Sequence, residues 1–178
     1  QYIWLYNGID RIDFESEIDW HEQQQLLKAR FPLNVLSDKA TYEIQFGSVE
    51  RPTHKNTSWD AAKFEVCAHK WADLSDGGYG VSLMNDCKYG YSCNGNQLSI
   101  TLIKSGIWPH ISDQGNHRFV YSIYPHDGKY SKGGTVKRAY ELNQPMFICR
   151  PKRNDCHQLG NINLIKSTSS NIIIDTVK

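Results

Sequence analysis

The chain has 178 residues, of which 39% are apolar and 12% aromatic, with 20 basic and 19 acidic side chains giving a net charge of +1. That length holds one large domain, or a domain and a piece, and the apolar share is enough for a core. The even charge balance gives no case for nucleic acid or an anionic membrane as partner, and no apolar run reaches the about 18 residues of a spanning helix.

Strand signals dominate. The opening Gln-Tyr-Ile-Trp-Leu-Tyr-Asn has no basic region followed by a small-residue cleavage site and reads as the interior of a strand. The closing Asn-Ile-Ile-Ile-Asp-Thr-Val-Lys reads the same way. Strands at both ends and no initial Met predict a piece of a longer protein. Residues 9–18 alternate Ile12 and Phe14 with Arg11, Asp13, Glu15 and Glu17, the period of a strand with one wet face. Residues 21–30 contain helix formers, but Leu27, Ala29 and Phe31 alternate with Lys28 and Arg30 ahead of Pro32, which favours a loop entering a strand.

Residues 40–46 alternate again, and the polar stretch 47–60 reads as a long surface excursion. Short strands are predicted at 64–67 and 71–74, a turn at Asp76-Gly77-Gly78, and strands at 79–84 and 97–103 with Asn94-Gly95 turning between them. Residues 116–125 are apolar on both sides of the alternation, as in a strand buried between layers. Residues 127–134 read as a flexible loop, 136–142 as a strand or one helical turn, and 146–149 as a short strand. A loop over 151–160 and strands near 163–166 and 171–177 complete the pattern. Many short strands, few helix patterns and no repeat give an all-β chain, an antiparallel β-sandwich.

Cysteines fall at 67, 87, 93, 149 and 156 without Cys-x-x-Cys spacing, so free thiols in a reducing compartment are expected. The glycan acceptor pattern Asn56-Thr57-Ser58 is then idle. His21-Glu22 begins a zinc motif, but position 25 is Gln, so the second ligand is missing. Glu15, Glu17 and Asp19 share one strand face, which suits either paired carboxylates for glycoside chemistry or plain solvation. In the long excursion, Arg51 offers a fork of donors with His54 close by, or else an ion pair to Glu50 or Asp60.

The run Asn85-Asp86-Cys87-Lys88-Tyr89-Gly90-Tyr91 joins a strand to a polar loop. Asn85, Asp86, Lys88 and Tyr89 could bind a polyhydroxylated ligand, with Asp and Asn accepting from hydroxyls and the Tyr ring against a sugar face. The alternative is a turn in which Asp86 accepts backbone N–H groups.

Several long runs, in one order, resemble a known family. They are Arg11-Ile12-Asp13-Phe14-Glu15, Asp19-Trp20-His21-Glu22, Ala40-Thr41-Tyr42-Glu43-Ile44-Gln45-Phe46-Gly47 and Val49-Glu50-Arg51-Pro52-Thr53-His54. They continue through Asn56-Thr57-Ser58-Trp59-Asp60, His69-Lys70-Trp71-Ala72-Asp73-Leu74-Ser75, Tyr79-Gly80-Val81-Ser82-Leu83, the run from Asn85 to Tyr91, and Tyr121-Ser122-Ile123-Tyr124-Pro125-His126. The chain resembles the C-terminal part of family 38 glycoside hydrolases, the α-mannosidases of the cytosolic and bacterial branch, with the likeness thinning after about residue 145. The resemblance implies a supersandwich of the galactose-mutarotase type over residues 1–178, incomplete at both ends.

The same resemblance implies that catalysis sits elsewhere, in an N-terminal α/β domain with zinc held by His and Asp and an Asp nucleophile, followed by a helical bundle. No catalytic residue, zinc ligand or other cofactor site falls on this chain. Its implied role is a non-catalytic frame of the cleft, with Arg51, His54, Asn85, Asp86, Lys88 and Tyr89 as rim candidates. Expected partners are the catalytic and helical domains of the same polypeptide and a mannose-containing oligosaccharide, with a homo-oligomer as one form of assembly and the cytoplasm as location. Two alternatives are an independent carbohydrate-binding module using Trp59, Trp108 or Tyr130, and an aldose-mutarotase-like enzyme with a His and a carboxylate facing one sugar-sized cleft.

Overall fold

A computed structural model describes residues 1–148, 165–169 and 171–177. The two-sheet body lies within the compact unit Gln1–Gln144 and is an antiparallel β-sandwich. In chain order its strands are β1 (Tyr2–Tyr6), β2 (Ile9–Trp20), β3 (Leu26–Pro32), β4 (Lys39–Ile44), β5 (Gly47–Pro52), β6 (Val66–Cys67), β7 (Trp71–Ser75), β8 (Tyr79–Asn85), β9 (Gly90–Asn94), β10 (Gln97–Lys104) and β11 (Gly115–Asp127). A seven-stranded sheet runs β1-β2-β11-β8-β7-β4-β5, and a four-stranded sheet runs β3-β10-β9-β6.

Alternation explains how the large sheet serves two faces. Ala72, Leu74, Leu83, Phe119 and Tyr121 point to the small sheet, where they meet Tyr91, Leu98 and Ile100. Phe14 stacks on Tyr121 at 5.0 Å between centroids and reaches Phe31 of the small sheet at 6.0 Å. The neighbours Trp71, Met84 and Tyr124 point the other way, onto Ala139 of helix α3 (Thr135–Asn143). Strands β7, β8 and β11 are therefore apolar on both sides, as expected for residues 116–125, whereas β2 sets Arg11 and Asp13 opposite Ile12 and Phe14 and buries the two as an ion pair. The β9–β10 connection is the two-residue loop Gly95-Asn96, with Gly95 at φ 59°, since Asn94 pairs with Gln97. Glycine at the first loop position suits a type II′ hairpin.

Three expectations are corrected. Part of the 47–60 excursion is strand β5, paired along its whole length with β4, and helix α1 (Ser58–Ala62) follows, capped by the Thr57 hydroxyl. Residues 127–134 include helix α2 (Tyr130–Gly133), and of the two forms expected for 136–142 the helical one holds, extended into α3. Tyr130 of α2 and Val136, Ala139 and Leu142 of α3 supply the apolar side chains that find the outer face of the sheet. In the second compact unit, Pro145–Lys178, the described residues contain no strand, so none forms over 171–177 or over 146–148. The loop expected at 151–160, and positions 149, 163 and 164, lie outside the described residues.

Strand β1 is the edge of the large sheet, and all five of its residues are exposed. Its register sets Ile3 beside Phe14 and Leu5 beside Ile12, on the face that elsewhere packs against the small sheet. Opposite β1 that cover is missing: Ile3 is 61% and Leu5 75% exposed.

Candidate functional site

The 85–91 corner carries the chain from the large sheet into the small one, and Asn85 builds it. The Asn85 amide donates to the His69 carbonyl at 3.0 Å and to the Tyr91 hydroxyl, while its oxygen accepts from the backbone N–H of Cys87 at 2.9 Å and of Lys88. Asn85 is 1% exposed and its amide is spent within the corner, so it shapes the turn. The turn role weighed for Asp86 belongs to Asn85.

Asp86 and Tyr89 are exposed at the corner's tip, and the Tyr89 ring meets His69 edge-on at 5.8 Å. The Lys88 ammonium lies 4.6 Å from the Phe119 ring centroid. Cys87 is exposed at this corner, and partial burial of its sulfur with the Asp86 carboxylate beside it pushes the thiol up to about 11.

Arg51 and His54 come together elsewhere, around a cavity of about 90 Å³ between β5, α1 and β9, and none of Asn85, Asp86, Lys88 or Tyr89 lines it. Arg51 makes neither ion pair weighed for it. Glu50 bonds Lys39 at 3.3 Å, and Asp60 faces Lys63 at 3.7 Å. Its guanidinium instead sits over the Tyr42 ring at 4.8 Å. Burial pushes the Cys93 thiol on the cavity wall up to about 12.

A buried cluster that the sequence reading missed lies under α3. His126 Nε2 is 2.7 Å from Asp73 Oδ1 and 3.2 Å from Ser82 Oγ; Ser82 also donates to Asp73 at 2.8 Å and meets Thr135 Oγ1 at 2.6 Å. Ser75 donates to the other Asp73 oxygen at 2.7 Å. This Ser, His and Asp do not form a nucleophile relay. In such a relay the carboxylate and the hydroxyl occupy different ring nitrogens, whereas here both approach Nε2, and the His126 and Asp73 side chains are 1% and 0% exposed. Glycine makes the room: a Cβ at Gly80 would lie 2.6 Å from His126 Cε1, and one at Gly133 2.4 Å from Nδ1. The register that pairs His126 with Gly80 was the missing signal, because it appears only once β8 and β11 are aligned.

Among the described residues no three His, Cys, Asp or Glu side chains converge to hold a metal, so the zinc implied by the resemblance finds no fit here. Cys67, Cys87 and Cys93 are free, while Cys149 and Cys156 lie outside the described residues. Trp59 and Trp108 are exposed at 80% and 86%, but Tyr130 packs on Trp71 at 4.8 Å, so the three rings form no common platform. His54 and Asp60 share the Arg51 cavity, which is smaller than the roughly 300 Å³ at which ligand pockets begin, while His117 with Glu17 and Asp19, and His126 with Asp10 and Asp127, line open hollows of about 340 and 510 Å³.

Comparison with known proteins agrees with this picture. The family described as glycosyl hydrolases family 38 C-terminal domain matches residues 1–112. The chain is 48% identical over 141 residues to alpha-mannosidase 2C1 of Homo sapiens, covering 79% of this chain and 14% of that protein. It is 44% identical over 170 residues to alpha-mannosidase G of Dictyostelium discoideum, covering 94% of this chain and 16% of that protein. The crystal structure of an alpha-mannosidase from Enterococcus faecalis V583 shares the fold, with a TM-score of 0.71 at 19% identity over 80% of this chain and 17% of that one. The two-sheet sandwich, the long matching runs and the family match together place this chain in glycosyl hydrolase family 38, within its C-terminal domain.

Proposed function

We propose that this chain is the first large β-domain of a zinc-dependent, retaining α-mannosidase that removes terminal α-mannosyl residues from oligosaccharides, and that it frames the cleft without performing the chemistry. The carrying observation is the close match to proteins named as alpha-mannosidases, of which the chain spans only 14% and 16%. The Ser82, His126 and Asp73 side chains are spent on one another beneath α3, which suits a frame. In the parent the zinc would supply Lewis-acid chemistry from other residues.

The rim falls to the exposed tip of the 85–91 corner, Asp86 and Tyr89 with Lys88, and to His54, which lines one cavity with Tyr91. Strand β1, uncovered on both faces, is where the catalytic and helical parts of the polypeptide dock. Free thiols at 67, 87 and 93 fit a cytoplasmic location, which fractionation of cells producing the tagged parent tests. For the rim, mannoside turnover of the longer polypeptide is measured after Asp86→Ala and Tyr89→Ala. A rise in KM or fall in kcat with unchanged unfolding supports it; unchanged kinetics in both variants removes the corner from the cleft.

A further inference from the structure

We infer that the Arg51 cavity is an oxyanion site, built to receive a carboxylate or phosphate group in a two-pronged hydrogen bond. Arg51 Nη1 is buried, and it has no hydrogen-bond partner among the described residues. Arg51 as a whole is half-buried, but a charged N–H end held out of water without an acceptor is costly, and an oxyanion is the group its planar fork fits. The Tyr42 ring, 4.8 Å away, holds the guanidinium plane from one side, so the fork is oriented before anything binds.

The acids on the cavity wall do not answer it. Asp60 accepts from Thr57 and faces Lys63 at 3.7 Å. Glu65 pairs with Lys28 at 2.6 Å and accepts from Thr101. Lys55, whose ammonium lies 5.7 Å from the Phe64 ring, has no acid against it among the described residues and adds to the positive side. A cavity of about 90 Å³ takes a small oxyanion and excludes a sugar ring. Two sources can supply the group: a free anion in solution, or an acidic side chain from another part of the same polypeptide. Binding at this cavity stands apart from the mannosidase reading; only the choice between sources rests on it.

The test titrates inorganic phosphate, and separately acetate, into the 178-residue chain by calorimetry at constant ionic strength, with amide chemical shifts followed in parallel. Expected is saturable one-to-one binding, with shifts centred on Tyr42, Arg51 and His54. Arg51→Lys, which keeps the charge and loses the fork, weakens it at least tenfold, and Arg51→Gln abolishes it. Absence of saturation with both anions, or shifts centred elsewhere in the wild-type chain, overturns the site whether or not the variants fold. Repeating the titration on the longer polypeptide separates the sources. Retained binding assigns the cavity to a free anion. Lost binding, with Arg51→Gln destabilising the longer polypeptide more than the chain, assigns it to an internal carboxylate.

Discussion

The cluster beneath α3 and the cavity beside β5 both hold polar atoms out of water, and they differ in how far those atoms are answered. Asp73 accepts from Ser75, Ser82 and His126, and two glycines close the space around the ring, whose Nδ1 is left without a partner among the described residues. Arg51 is oriented by an aromatic face and given nothing to hold. Polar groups that answer one another inside the body belong to its frame. What sets Arg51 apart from other buried atoms without a partner, such as Trp20 Nε1 and Ser122 Oγ, is that it carries a charge and lines a cavity.

The sharpest way to break this contrast is Asp73→Ala. It strands the His126, Ser75 and Ser82 donors and should cost about 3–5 kcal/mol, read from urea unfolding of the chain. A loss under about 1 kcal/mol would mean that the cluster is not the closed network described. Next comes Asn85→Ala, which removes the acceptor of two backbone N–H groups and the partner of the buried Tyr91 hydroxyl. A loss of about 1–3 kcal/mol is expected, with faster hydrogen exchange at Cys87 and Lys88.

Smaller and pH-dependent is Glu65. Burial alone would raise its carboxyl, but hydrogen bonds from Lys28 and Thr101 and the charges of Lys28 and Lys104 outweigh burial and hold it below the ordinary 4.5. With the folded value depressed, its contribution is present above pH 4.5 and is lost as pH falls through that lower value. The stability gap between wild type and Glu65→Gln should therefore shrink on acidification; a gap that widens below pH 4.5 contradicts the assignment. Smallest is Arg51→Met in anion-free buffer, where loss of the ring contact and relief of the stranded charge offset each other to within about 1 kcal/mol. A large loss would show that Arg51 is answered after all.

Much of the body was legible in the residues, because the large sheet imposes strict alternation. Ile12 and Phe14, the run from Tyr79 to Met84, and the doubly apolar run from His117 to Tyr124 all lie in strands. Strand β5 was less legible: Gly47, Ser48, Glu50 and Arg51 look like a loop because the strand lies at an edge, where polar side chains are tolerated. Of the candidate residues, Arg51 and His54 could be paired from their spacing, and the 85–91 corner could be recognised as a junction. The division of labour within that corner could not. Asn85 and Asp86 differ by an amide, and only the placement of Tyr91 and His69 decides which turns inward. The cluster of Asp73, Ser82 and His126 was invisible for the same reason, since its members lie on three strands whose alignment no local pattern records.

The bare strand at the N-terminal margin has a practical outcome for anyone handling this polypeptide by itself. With Tyr2, Ile3, Trp4, Leu5 and Tyr6 open to solvent beside unpaired amides, it is a template for self-templated growth into fibrillar aggregates. Light scattering should rise steeply with concentration, and a gatekeeper charge introduced by Leu5→Lys should keep the material dispersed without disturbing its far-ultraviolet spectrum.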